Sequence, residues 1–226
     1  MSAFFITATG TDVGKTFVAR GLIRALRARG RVVAALKPIV SGFEPAEAAG
    51  SDGGLLLAAL GREPTLEAIA EISPWRFRAP LSPDMAAARE KRKLDYPRLI
   101  EFCRAAIAAD HDCLLIEGIG GLMSPADSDH TMLDWMKALR LPVILVGGSY
   151  LGTISHTLTA LDTLARHELA VTALVISESA GSPVRLDETR DTIARFAPKI
   201  DIITVPRLPA STPEHAGFDR LVQMIP

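Results

Sequence analysis

The run Thr7-Ala8-Thr9-Gly10-Thr11-Asp12-Val13-Gly14-Lys15-Thr16 limits what this chain can fold into more than any other stretch. It follows the apolar residues Ala3 to Ile6. It precedes a helical pattern in which Phe17, Val18, Leu22, Ile23 and Leu26 share one face, with Arg24, Arg27 and Arg29 opposite. A strand, a glycine-bearing loop and a helix in that order form a cradle for phosphate. The loop's N–H groups and the helix's positive end face the anion, and a lysine neutralises its outer oxygens. Asp12, Val13, Gly14, Lys15, Thr16 and Phe17 are therefore the candidate nucleotide contacts, and the Thr16 hydroxyl suits Mg²⁺. The loop is a variant: three residues separate Gly10 from Gly14, where the common pattern has four.

Further apolar runs follow at Arg31–Leu36, Cys113–Glu117, Pro142–Val146, Val171–Ile176 and Ile200–Val205, nearly all separated by helical patterns. Buried strands alternating with helices predict an α/β, doubly wound, mainly parallel sheet of about six or seven strands. The absence of a linker or repeat in the 226 residues predicts a single P-loop domain. Phe43 to Gly54 reads as a mobile surface loop, and Ser73 to Phe77 as a short edge element. Helices are expected from Asp84, from Pro97 to about Ala109, over Leu133–Leu139, Thr153–His167 and Arg185–Phe196, and from Ala216.

The net charge of −1 offers no basic excess for a nucleic acid or an anionic membrane. The one basic run, Arg89 to Lys93, reads as a solvated helix end. No apolar stretch is long enough to span a bilayer, no signal peptide is apparent, and Cys103 and Cys113 read as core residues of a reducing compartment. A cytoplasmic protein is the expectation.

Three residues outside the loop carry chemical signals. Glu117 puts a carboxylate at a strand tip, where a P-loop enzyme places its metal partner. Lys37, at another strand end before Pro38, would bring a second cation to the transferring phosphate, with the Ser41 hydroxyl and Gly42 close by. Asp52 suits metal binding and helix capping equally well. The histidines at 111, 130, 156, 167 and 215 pair on no common face, which argues against a histidine metal site or a nucleophilic triad.

Taken together, the chain resembles dethiobiotin synthetases, from the first strand to about Pro209. The resemblance rests on Thr11-Asp12-Val13-Gly14-Lys15-Thr16, Lys37-Pro38-Ile39-Val40-Ser41-Gly42, Ser51-Asp52, Ala79-Pro80-Leu81-Ser82-Pro83, Glu117-Gly118-Ile119-Gly120-Gly121, Leu141–Val146 and Leu151–Thr157. It implies ATP, Mg²⁺, CO₂ and 7,8-diaminononanoate as reactants, a carbamate that attacks the γ-phosphate, and ring closure of the resulting carbamic–phosphoric anhydride. On this resemblance Lys15, Lys37 and Thr11 are catalytic, and Thr16, Asp52 and Glu117 surround the metal. Ser41 and Gly118 touch substrate. The resemblance also implies a homodimer in which the partner's Leu151, Gly152, Thr153 and Ser155 hold the substrate tail. Ser177 and Pro206, Arg207 and Leu208 fall where the base is read. Two departures stand out, Ser155 and Ser177, both at positions where relatives often carry asparagine.

The competing reading is a partitioning-type nucleotide switch that acts through dimerisation. Such proteins carry an additional lysine early in the loop, and Ala8 to Asp12 contains none. An amidating synthase stripped of its amidotransferase half is a further alternative, disfavoured by the short chain.

Overall fold

The computed structural model describes residues 2–208 and 214–226. The family pattern's expected end at Pro209 lies outside the described residues. Six strands form one parallel sheet: β1 (Ser2–Ala8), β2 (Val33–Leu36), β5 (Cys113–Glu117), β6 (Val143–Gly147), β7 (Val171–Ser177) and β8 (Ile202–Val205). Their order is β2-β5-β1-β6-β7-β8. The chain leaves central β1 toward one edge and later returns past it toward the other. This opens a crevice at the carboxyl ends of β5, β1 and β6, where α/β sheets bind ligands. β5 and β6 are buried along their whole length, which accounts for their unbroken apolar sequence.

The helices are α1 (Lys15–Arg27), α2 (Asp52–Ala59), α3 (Leu66–Ile72), α4 (Pro83–Arg89), α5 (Tyr96–Ile107), α6 (Met132–Leu139), α7 (Thr153–Arg166), α8 (Leu186–Phe196) and α9 (Ala216–Gln223). α1 packs against α2 and α9, α5 against α6, and α7 against α8. No helix among the described residues is long and apolar enough to cross a membrane. Cys103 and Cys113 are free and buried, and burial pushes the Cys103 thiol up to about 12.

The segment between β2 and α4 departs most from expectation. Pro38 ends β2, but the chain resumes as β3 (Ile39–Ser41), which pairs in parallel with β4 (Trp75–Phe77) in a separate small sheet. The expected edge element at 73–77 is therefore a strand, with β3 as its partner. The stretch expected to be a loop, 43–54, folds into a 3₁₀ turn over Pro45–Gly50 and the start of α2. Its small residues allow this compaction: a side chain at Gly54 would collide with the Ala48 carbonyl.

Candidate active site

Register brings the charged residues together. β2 and β5 pair Leu36 with Ile116, so the next residues, Lys37 and Glu117, emerge side by side at the sheet's carboxyl edge. β1 pairs Ile6 with Glu117, and the phosphate loop begins where β1 ends. The loop is pinned on both sides, Thr9 N–H donating to Val146 O at 3.0 Å and Leu122 N–H to Ala8 O at 3.0 Å. Gly14 precedes α1 with φ 99°, in the left-handed region, and Ser177 leaves no room there for a side chain. Gly121 is held to glycine by the backbone of Gly10, which passes against it.

Lys15 folds back over the loop, its Nζ donating to Gly120 O at 2.7 Å and Gly10 O at 3.1 Å. Burial, and then the charge of Lys37, lowers its pKa to about 8. The loop lysine is thus a poorly solvated cation with only neutral carbonyls as hydrogen-bond partners, which suits it to receive phosphate oxygens.

Beneath it lies a denser cluster. Lys37 Nζ donates to Glu117 Oε1 at 2.6 Å and to Gly118 O at 2.8 Å, and sits 3.1 Å from Asp52 Oδ2. Lys37 and Glu117 are each 1% exposed. Burial alone would lower the Lys37 pKa, but the charges of Glu117 and Asp52 outweigh it and hold the ammonium above the ordinary lysine value. Burial likewise opposes ionisation of Asp52, yet Lys37 and the Thr16 hydroxyl carry it below the usual carboxylate range. Burial lifts Glu117, with Lys37 pulling against the rise and Asp52 adding to it.

Thr16 Oγ1 lies 2.7 Å from Glu117 Oε1 and 2.9 Å from Asp52 Oδ1. A hydroxyl has one proton, so it cannot donate to both at once. Glu117 Oε2 is buried without any hydrogen-bond partner. Three hard oxygen ligands, two of them carboxylates and one with a spare buried oxygen, are a donor set suited to Mg²⁺. Among the described residues no group of three or more His, Cys, Asp or Glu side chains could hold a metal. Thr16 therefore completes a three-ligand set with the two carboxylates. The capping alternative for Asp52 is removed: Ser51 caps α2, its Oγ accepting from Gly54 N–H at 3.2 Å.

Thr11, Asp12, Gly14, Lys15, Thr16, Phe17, Lys37, Ser41 and Asp52 all border one cleft of about 710 Å³. Ser41 Oγ is buried there without a hydrogen-bond partner. Gly118 contributes its carbonyl to Lys37. Val13 is buried in the core, and Phe17 also packs edge-on against Phe218 at 5.8 Å. Other candidates stand apart from this cleft. Ser177 is buried against Gly14. Pro206, Arg207 and Leu208 follow β8, the Arg207 N–H donating to Glu178 Oε2 at 2.9 Å. Leu151, Gly152 and Ser155 are exposed, whereas Thr153 turns inward, its hydroxyl donating to Gly148 O at 2.8 Å. Sequence reasoning missed the Gly10 and Gly120 carbonyls, for which no residue type gives a signal. It also missed the Ser51 cap, which was readable from a serine preceding an apolar helix.

The Lys15 pKa gives a test. Its proton is largely lost above about pH 8 in the free protein and is retained when a triphosphate binds, so nucleotide binding takes up a proton on the alkaline side and none from Lys15 well below it. Calorimetric titration of ATP at about pH 9, in buffers of different ionisation heat, is expected to show uptake approaching about one proton per site. The Lys15→Arg variant should show none. Zero uptake by the unmodified protein would contradict the assignment.

Residues 2–215 match the family described as "AAA domain". The ATP-dependent dethiobiotin synthetase BioD of Methylobacterium nodulans is 50% identical over 202 residues, covering 87% of this chain and 90% of that protein. The protein of the same name from Acidiphilium cryptum is 49% identical over 196 residues, covering 86% and 88%. Among solved structures, the septum site-determining protein MinD complexed with Mg-ADP from Pyrococcus horikoshii aligns with a TM-score of 0.57 at 16% identity, over 99% of this chain and 94% of that one. A ParA family ATPase from Chlorobium tepidum gives a TM-score of 0.53 at 14% identity, over 99% and 90%. These likenesses are of fold alone. Identity near one half along most of both chains makes this chain a member of the dethiobiotin synthetase family.

Proposed function

We propose that this chain is an ATP-dependent ligase that converts 7,8-diaminononanoate and CO₂ to dethiobiotin in biotin biosynthesis. The observation that carries the reading is the pair of buried lysines bordering one cleft, Lys15 on the phosphate loop and Lys37 on the carboxylates of Glu117 and Asp52. Binding a triphosphate needs only the first. A second cation suits a reaction that brings a further anion, the carbamate, against the γ-phosphate.

One amine takes up CO₂ and releases a proton, giving a carbamate. A carbamate oxygen attacks the γ-phosphorus and ADP leaves. The second amine then attacks the carbonyl carbon of the anhydride, closing the ureido ring, and phosphate leaves with the bridging oxygen. Lys15 and Lys37 stabilise the charge shared between carbamate and phosphoryl group. Thr11 and the unpartnered hydroxyl of Ser41 orient the carbamate. Thr16, Asp52 and Glu117 would hold Mg²⁺, which supplies charge neutralisation to the phosphates. With Ser177 short and buried against Gly14, base recognition falls to the backbone from Pro206 to Leu208 and is looser than a side-chain amide would make it.

We further propose a cytoplasmic homodimer in which the first turn of the partner's α7 receives the substrate carboxylate. Exposed Gly152 and Ser155 suit that role, while Thr153 acts through its N–H because its side chain is turned inward. The switch reading loses ground because Ala8 to Asp12 lacks the additional lysine and a switch has no use for Lys37 and Ser41.

Purified protein should release phosphate from ATP only when Mg²⁺, bicarbonate and 7,8-diaminononanoate are all present; equal release without the diamine would sink the synthetase reading. Lys37→Met should lower turnover by about 10²–10³-fold. Gly152→Trp, at the tail site, should also be inactive. In a shared-site dimer, mixing the two variants after dissociation restores about a quarter of wild-type activity, since half of the dimers carry one intact site. No restoration, with mixed dimers demonstrated, would refute the shared site.

A further inference from the structure

The basic run at 89–93 has a second partner that its sequence does not show. α4 ends at Arg89, and the chain then turns so that Arg92 lies over the Phe77 ring of β4, 4.7 Å from its centroid. On the same strand Arg76 lies over Phe43 at 5.4 Å. These two guanidinium groups, together with Arg78, line a groove of about 350 Å³ that is separate from the ATP cleft.

Arginines stacked on aromatic rings and tied to backbone are held in place before any ligand arrives. Arg76 donates through NH1 to Ser73 O, and Arg92 through NH1 to Arg76 O at 2.7 Å. An arginine has five N–H donors, and among the described residues the Nε and remaining NH2 groups of both make no hydrogen bond. Among the described residues the Arg78 side chain makes none, although its backbone N–H donates to Glu90. Among the described residues Glu90 is the one acidic residue lining the groove, and both its oxygens are engaged, Oε1 by Arg78 N–H at 2.6 Å and Oε2 by Arg92 at 3.0 Å. Three guanidinium charges against one carboxylate leave the groove two positive charges in excess. Burial, and then the charge of the neighbouring Arg92, lowers the Arg76 pKa.

We propose that this groove is a binding site for a phosphate dianion, inorganic or esterified, held by Arg76, Arg78 and Arg92. Forked guanidinium donors match tetrahedral oxyanions in geometry and charge. Pro45 and Leu66, both exposed in the lining of the groove, supply apolar surface against which the organic part of an ester can lie. The groove and the cleft border the same strand pair, Ser41 standing opposite Phe77 in the register of β3 and β4.

The test separates this groove from the phosphate loop. Equilibrium dialysis of labelled inorganic phosphate against full-length Lys15→Ala protein should show one phosphate bound per chain. Adding Arg78→Ala, an exposed side chain without protein hydrogen bonds, should weaken binding at least about tenfold. Glu90→Gln should tighten it, because a carboxylate facing the anion is removed. Competition by phenyl phosphate at lower concentration than phosphate assigns the site to an ester, and equal competition assigns it to the free ion. The proposal is overturned if Lys15→Ala protein binds no phosphate at millimolar concentration, or if Arg78→Ala leaves binding unchanged.

Discussion

The site depends on one buried ammonium group. Lys37 is surrounded by two carboxylates and a carbonyl, at the edge of a sheet whose interior is mostly apolar. Desolvating a lysine and a glutamate costs several kcal/mol per ion, and their attraction repays it only when the geometry is good. An apolar pair at those positions would hold β2 to β5 as well or better. The pair therefore reads as chemistry retained against stability. Its partners tie three separate segments together: the end of β2, the tip of β5 and the start of α2.

Those ties explain why the phosphate loop is only half of the site. Lys15 sits over the loop on two carbonyls, its pKa lowered to about 8 by burial and by its neighbour Lys37. The structure shares its fold with MinD and ParA proteins. The proposed distinction from a switch of that fold lies partly in the loop, where Ala8 to Asp12 lacks the additional lysine, and partly outside it, in Lys37, Ser41 and the cleft they border. Fold and function here are distinct inferences, one carried by strand order and the other by a few side chains.

Much of this was legible in the sequence. Parallel strands buried on both faces announce themselves as apolar runs, and all six expected, at Ala3, Val32, Cys113, Val143, Val171 and Ile200, are present, beginning at Ser2, Val33, Cys113, Val143, Val171 and Ile202. Between Pro38 and Pro83 the edge element at 73–77 was legible but β3 and its pairing with β4 were not, because these strands are three residues each and pair only with one another across a long separation. Periodicity has no purchase on such short elements. Asp52 was ambiguous for a related reason: a helix start invites both a cap and a ligand, and only coordinates reveal that Ser51 has taken the first role. The arginine groove was hidden more deeply. A run of charge looks like a solvated helix end until the chain's turn after Arg89 lays Arg92 against an aromatic ring.

The central claim is that a carbamate oxygen attacks the γ-phosphate between the two lysines. It is tested most directly by following oxygen. In a single turnover with ¹⁸O-labelled CO₂, begun before exchange with water, the account predicts that the phosphate released carries one labelled oxygen, because the anhydride breaks on the carbon side. Unlabelled phosphate, with dethiobiotin formed, would contradict it.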